Sequence, residues 1–206
     1  FHHDYLASQS TYDISQDKKI LTDMWPSAWN KLFKLSIINK YHITFKERML
    51  YEDHTFFYEY FSHCNTFSYI AEPLYFYRKE RPHSITTQST GREKEIFIIL
   101  DYISQIFKTM YSDDEYQILI AKISIRLLYE RCWVFNISDI NYYSYLANAI
   151  KYLSKWDKAY LLNVKDDFIS NDSPIFFNAL ELQQYQKKQL FLHVALCSYC
   201  LRSVRL

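Results

Sequence analysis

The residues in this chain best suited to chemistry are two adjacent carboxylates, Glu52 and Asp53. A carboxylate held beside a hydroxyl group can accept its proton while the hydroxyl oxygen attacks an electrophilic carbon. The same pair can also serve only as negative charges that stabilise the N-terminus of a helix. Which role applies depends on the elements that position the pair and on the groups that surround it.

Two short segments, one on each side of the pair, carry the other groups expected in such a site. Residues 29–34 read Trp-Asn-Lys-Leu-Phe-Lys, and residues 74–78 read Leu-Tyr-Phe-Tyr-Arg. A tryptophan face can stack on the apolar side of a sugar ring, and Lys31 can meet diphosphate oxygens as a point charge. The alternative is a core Trp29 beside a solvated lysine.

The apolar spacing after the pair predicts an amphipathic helix that begins at about Glu52, with both carboxylates in its first turn. Its apolar stripe comprises Phe56, Phe57, Tyr60, Phe61 and Cys64. In contrast, residues 29–34 suit a short strand or a turn, and Ser36 is a candidate helix cap. Residues 74–77 are typical of a buried strand.

Residues 78–92 are polar and predict a loop. Its basic side chains are Arg78, Lys79, Arg81 and His83. Such a loop can close over a diphosphate and exclude water, and the His83 imidazole can complete a metal shell. The alternative is a basic loop that is simply solvated.

The composition excludes several classes of function. The net charge of +1 argues against nucleic acid as the main partner. The single glycine, Gly91, excludes glycine-rich phosphate-binding loops. Aromatic residues make up 19% of the chain, which suits sugar-stacking surfaces, membrane interfaces or cores with wet edges. Codon bias is the simpler explanation for most of them.

The character of the sequence changes near residue 92. From there the apolar residues follow a helical period. They begin with Ile96, Ile99, Leu100, Ile103, Phe107 and Met110. Further helices are predicted from about Asp113, over residues 142–153 and after Pro174. We therefore predict a mostly helical chain with two domains, an α/β segment over residues 1–92 and an all-α domain over residues 93–206.

Other candidate sites are weaker. Cys197 and Cys200 form a C-x-x-C pattern, but in a predicted helix they can be small apolar residues, and a reducing compartment is expected. The cluster His2, His3 and Asp4 invites a metal site or belongs to a strand edge. We expect neither a signal peptide nor a membrane-spanning helix. Residues 190–201 predict a core or interface helix, or one that touches anionic lipid.

The order of these motifs resembles the C-terminal half of the GT-A, Rossmann-like nucleotide-sugar domain of family 2 glycosyltransferases, over residues 1–92. The resemblance implies an inverting transfer of a sugar to an acceptor hydroxyl, with Asp53 as the catalytic base. Glu52 would hold a neighbouring hydroxyl or a basic side chain. The implied substrate-binding residues are Trp29, Lys31, Arg78, His83 and Ser84. A helix N-terminus would lower the basicity of Asp53, so orientation would have to contribute much of the effect.

The resemblance also implies a metal ion and substrates whose binding residues lie partly outside this chain. The family's donor half carries an Asp-x-Asp metal motif before these segments, and no such motif precedes Trp29. We therefore expect a piece of a longer protein, with Mg²⁺ or Mn²⁺ held mainly outside it. The expected substrates are a nucleotide sugar and a glycan or lipid-linked acceptor of a bacterial surface polysaccharide. The expected location is cytoplasmic, or peripheral at the inner face of the membrane.

Two alternatives belong to other classes of function. The chain can be a non-catalytic helical interaction module with a partner surface on residues 93–206. It can also be a glycan-binding fragment that uses exposed tyrosines without turnover. The sequence leaves the donor sugar, the linkage and the oligomeric state open, a homo-oligomer included.

Overall fold

The computed structural model describes residues 11–16, 18, 20–78, 92, 94–132 and 140–156. Several sequence predictions lie outside these described residues. They concern the cluster His2, His3 and Asp4, the loop residues Lys79, Arg81, His83 and Ser84, the helix after Pro174, the cysteines Cys197 and Cys200, and the apolar residues 190–201.

Helices dominate the described residues, which confirms the prediction of a mostly helical chain. The helices are α1 (Ile20–Asp23), α2 (Leu35–Tyr41), α3 (Glu52–Ser62), α4 (Glu95–Met110), α5 (Asp113–Cys132) and α6 (Ile140–Leu153). Among the described residues, none of these helices combines the length and apolar character needed to cross a membrane.

A single two-stranded sheet occurs in the described part of the chain. Strand β1 (Thr11–Asp13) pairs antiparallel with β2 (Thr66–Ser68), and Tyr12 lies opposite Phe67. The rings of these two residues stack with centroids 5.2 Å apart. The partner of β1 therefore lies far along the chain.

Helices α3 and α4 pack against each other and form the core beside the acidic pair. The predicted stripe is buried at Phe56, Phe57, Tyr60 and Phe61, whereas Cys64 follows the end of α3. In α4 the predicted period holds at Ile96, Ile99, Leu100, Ile103 and Phe107, which are all buried, whereas Met110 at the end of the helix is exposed. The Tyr102 hydroxyl donates to Glu59 Oε2 at 2.8 Å and adds a polar contact between the two helices.

The chain divides into two compact units, residues 1–124 and 125–206, with the division inside α5. In the first unit, Glu115 in the first turn of α5 accepts from both the backbone N–H and the hydroxyl of Ser112. In the second unit, the Tyr145 hydroxyl donates to the Leu128 carbonyl at 3.1 Å. The domain division expected at residue 92 stays a prediction.

Two local predictions are wrong. Residues 74–77 form no strand and are exposed rather than buried, with Phe76 97% accessible. An apolar run alone does not show whether a partner strand covers it. Ser36 does not cap a helix, because α2 begins one residue earlier and Lys34 occupies the cap position without a side-chain bond.

Candidate functional site

The turn before α3 fixes where the acidic pair lies. Arg48 and Tyr51 both have positive φ, at 57° and 65°. This left-handed region disfavours residues with a Cβ, so each of the two positions stores backbone strain. Tyr51 directly precedes Glu52, and its carbonyl accepts the first-turn N–H of His54 at 3.0 Å. The strained turn thus ends where the helix and the acidic pair begin.

Helix α4 holds this turn in place through Glu95. The backbone N–H of Leu50 donates to Glu95 Oε2 at 2.7 Å. Arg92 donates to Glu95 Oε1 at 2.6 Å and to the Arg48 carbonyl at 2.5 Å. The hydrogen bond from Arg92 is the main reason that the pKa of Glu95 lies below its usual value. Charge-assisted bonds of this kind offset part of the strain in the turn.

Within the acidic pair, Asp53 has a strongly raised pKa. Burial raises its pKa from 3.8 to about 6, and the adjacent Glu52 adds to the effect. Backbone N–H groups in the first turn and the Lys31 charge act in the opposite direction. The helix N-terminus lowers the pKa of Asp53 as expected from the sequence, but burial outweighs it, so the expected net loss of basicity is wrong. About a third of the side chain, 33%, remains accessible.

Two other side chains lie around this carboxyl. His54 Nε2 is 3.8 Å from Asp53 Oδ1, too far for a hydrogen bond but close enough for a charge interaction. The His54 ring meets the Tyr51 ring edge to face, with centroids 5.7 Å apart. Glu52 is exposed, and its carbonyl accepts the Thr55 hydroxyl at 2.9 Å. Asp53 is therefore the member of the pair that faces the protein interior.

Lys31 binds the loop that precedes it. Its ammonium donates to the carbonyl of Trp25 at 2.5 Å, to the carbonyl of Ser27 at 2.8 Å and to Asn30 Oδ1 at 2.7 Å. It also lies 5.0 Å from the centroid of the Phe57 ring in α3. The diphosphate contact expected for Lys31 stays a prediction.

Trp29 connects the two flanking segments. Its ring stacks on Tyr75 with centroids 4.7 Å apart and on Tyr77 with centroids 5.1 Å apart. We call Trp29, Tyr75 and Tyr77 the aromatic stack. The three residues are 42%, 54% and 47% exposed, so the stack lies at the surface rather than in the core. It therefore offers aromatic area to a ligand, in contrast to the core role weighed for Trp29.

The remainder of the first segment is anchored on α3. The Phe33 ring contacts Phe56 and Tyr60 edge to face, with centroids 5.1 Å and 4.8 Å away. The backbone N–H of Lys34 donates to the Tyr60 hydroxyl at 2.7 Å. Residues 29–34 are therefore fixed on the same helix that carries Asp53.

The structure thus places Lys31 close enough to Asp53 to affect its pKa, and Trp29 lies two residues before Lys31 on the same loop. Arg78 follows the aromatic stack directly and is exposed, whereas His83 and Ser84 lie outside the described residues. Sequence reasoning missed Tyr75 and Tyr77 as partners of Trp29. Their spacing of two residues, which places alternate side chains of an extended chain on one side, was the available signal.

Within the part of the chain that the structure describes, no three His, Cys, Asp or Glu residues converge as a metal site. The Mg²⁺ or Mn²⁺ expected from the resemblance was placed mainly outside this chain, so it stays a prediction. Comparison of the chain with models of known protein families, with characterised proteins and with solved structures finds no match.

Proposed function

We propose that this chain is the acceptor-side part of an inverting glycosyltransferase with a GT-A nucleotide-sugar domain, and that Asp53 is its catalytic base. One observation carries the proposal: a partly accessible carboxyl with a raised pKa lies on the helix that also anchors the loop of the aromatic stack. Perturbed carboxyls beside a ligand-sized surface are typical of functional sites.

The reaction would proceed by a single displacement. The acceptor hydroxyl gives its proton to an Asp53 carboxylate oxygen while the hydroxyl oxygen forms a bond to the anomeric carbon of the donor sugar. The bond from that carbon to the diphosphate breaks, and the nucleoside diphosphate leaves with the electron pair. A pKa of about 6 leaves Asp53 mostly ionised at neutral pH, yet more basic than an ordinary aspartate.

The aromatic stack would bind the acceptor. The hydrophobic face of a sugar ring stacks on tryptophan and tyrosine rings. Because Trp29 lies two residues before Lys31, which influences Asp53, a sugar on this stack would lie near the base. Arg78, next to Tyr77, would meet the diphosphate. We propose no step through a metal ion, since the described residues supply no metal shell.

Replacement of Asp53 by asparagine in the complete protein tests the base directly. Asp53→Asn keeps the size of the side chain but cannot accept the proton. We expect kcat to fall by about 10²–10⁴-fold, the usual contribution of a general base, while donor affinity stays near normal. Nucleoside diphosphate release from a panel of nucleotide sugars measures turnover, and calorimetry measures donor binding.

The matched control is Glu47→Gln, which removes one exposed carboxylate outside the site. This control should retain full turnover. Full turnover in Asp53→Asn would overturn the assignment of the base.

A second candidate is glycan binding without turnover, which the exposed aromatic stack also favours. It predicts that the wild-type protein releases no nucleoside diphosphate with any donor but still binds oligosaccharides. In that case Asp53 would take no part in a reaction, so Asp53→Asn would retain full glycan affinity. The interaction-module alternative stays a prediction.

A further inference from the structure

The Lys31 ammonium donates hydrogen bonds to oxygen atoms of the protein itself. A lysine has three N–H donors and no acceptor. The carbonyl oxygens of Trp25 and Ser27 and the side-chain oxygen of Asn30 each accept from Lys31 Nζ. These three contacts account for the three donors, so a phosphate could bind here only by displacing a protein acceptor.

The same ammonium links the loop to α3. Two of its acceptors are backbone carbonyls, so Lys31 closes residues 25–31 into a compact loop that includes Trp29. The Phe57 ring below it is fully buried in α3. A cation above an aromatic face adds an electrostatic attraction that strengthens where water is excluded. The position of Trp29 relative to α3 therefore depends on Lys31.

Lys31 also places a positive charge near the proposed base. The charged and titratable groups that act on Asp53 are Glu52 and His54 from α3 and Lys31 from the preceding loop. Glu52 opposes ionisation of Asp53, and Lys31 favours it. Removal of the lysine charge would remove one of the groups that oppose burial and Glu52, so the pKa of Asp53 should rise further.

We propose that Lys31 is a positioning residue for the acceptor rather than a ligand of the diphosphate. It holds the Trp29 loop on α3, so that a sugar on the aromatic stack presents a hydroxyl to Asp53. This role rests on the proposed transferase function, but the geometry it requires exists without any substrate.

The first test therefore uses no substrate. Lys31→Met keeps an apolar stem over Phe57 but removes the charge and the donors. In a chain labelled with 5-fluorotryptophan, the ¹⁹F resonance of Trp29, assigned with Trp29→Phe, should move as its stacking on Tyr75 and Tyr77 changes. The ¹³C carboxyl titration of Asp53, assigned with Asp53→Asn, should move to higher pH.

Lys34→Met is the matched control, because it removes an exposed lysine from the same segment while leaving the backbone bond to Tyr60. It should change neither signal. If Lys31→Met does not fold, Lys31→Gln, which is neutral but keeps amide donors, decides by its Asp53 titration. An unchanged Trp29 resonance together with an unchanged Asp53 titration would overturn the proposal.

Kinetics of the complete protein then separate positioning from phosphate binding. We expect Lys31→Met to raise the acceptor KM by about tenfold or more, since misplacement by about 1 Å costs that much or more, and to shift the acidic limb of the kcat profile to higher pH. The donor KM should not change. A rise confined to the donor KM would show a diphosphate contact instead. Absence of turnover in the wild-type protein would refute the transferase function alone, because the resonance tests of Lys31 need no turnover.

Discussion

The Asp53 carboxyl is harder to ionise in the folded protein than in the unfolded chain, because burial and Glu52 raise its pKa from 3.8 to about 6. At neutral pH the folded state therefore carries a charge in a place that favours the neutral form. This lowers the free energy of unfolding. Residues kept for chemistry often carry such a cost, since activity and stability compete at these positions.

We therefore expect Asp53→Asn to stabilise the chain at pH 7 while it lowers the rate of the proposed transfer. A shift of this size corresponds to about 3 kcal/mol, and the accessibility of the side chain reduces the expected gain to about 1–2 kcal/mol. Urea unfolding followed by circular dichroism measures the difference. Glu47→Gln, which removes an exposed carboxylate, should leave the stability nearly unchanged.

The pH dependence has a definite sign. Because the folded pKa is raised, the folded state binds more protons than the unfolded chain between about 6 and 3.8. The Asp53 contribution to stability therefore improves as the pH falls through this window. The advantage of Asp53→Asn should shrink over the same range. An advantage that persists below pH 4 would show that the gain has another origin.

At the residue scale, the sequence marks Asp53 and Trp29 as candidates but does not describe their surroundings, and their roles stay proposals. Adjacent carboxylates before an apolar period identify a helix start, so the dipole effect on Asp53 could be foreseen. The larger effect, burial, depends on tertiary packing around the carboxyl, which local sequence does not determine. Likewise, the stacking of Trp29 on Tyr75 joins segments that are distant in sequence.

At the element scale, the turn before α3 depends on α4. Glu95 accepts from the Leu50 backbone, and Arg92 joins Glu95 to the Arg48 carbonyl. The contacts from Glu95 to Leu50 and from Arg92 to Arg48 join distant parts of the chain. Both act on the turn that positions the acidic pair. The start of α4 thus supports the strained conformation at Arg48 and Tyr51.

Glu95→Gln tests this support. The amide can still accept one bond, but the charge that strengthens the bonds from Leu50 and Arg92 is lost, so we expect a loss of about 1–3 kcal/mol in the free energy of unfolding at pH 7. Urea unfolding across the pH range measures it. Because the pKa of Glu95 is lowered in the folded state, its contribution is present above its ordinary value of 4.5 and is lost as the pH falls.

The difference between wild type and Glu95→Gln should therefore close in acid, and a difference that stays constant down to pH 3 would contradict this account. The change in Glu95 runs opposite to that in Asp53, whose contribution improves as the pH falls. The two carboxyls can thus be separated in one pH series.

The helices were predictable where a long apolar period exists, as in α3 and α4, because one face of each must be buried. The middle of α5 is instead buried on all sides, over residues 123–128. The strands were not. β1 and β2 have three residues each and form only when distant parts of the chain meet. Residues 74–77 were assigned to a buried strand from apolar character alone, and their exposure could not be read from composition. The GT-A fold itself stays a proposal.

At the scale of the whole molecule, low net charge combines with exposed apolar side chains. The net charge is +1, which provides little electrostatic repulsion between copies of the chain. Leu74 and Phe76 are largely exposed on the segment that carries the aromatic stack. Exposed apolar groups of this size favour association when charge does not oppose it.

We expect the double substitution Leu74→Ser and Phe76→Ser to reduce self-association of the chain. Sedimentation velocity over a concentration series should show a rising mean mass for the wild type and a nearly constant one for the variant. Ile98→Ser on α4, which also removes an exposed apolar side chain, is the control and should behave as the wild type. Equal association of all three chains would place the contact elsewhere.

The positive φ of Tyr51 has a consequence for sequence variation. The chain holds one glycine, and among the described residues His42, Arg48 and Tyr51 occupy the left-handed region instead. Glycine, asparagine or aspartate would enter position 51 with less strain, whereas valine or isoleucine would be rejected by their branched Cβ. In related chains, position 51 should therefore be occupied by residues without a branched Cβ. The backbone conformation, rather than the contacts of the side chain, would restrict which residues are accepted there.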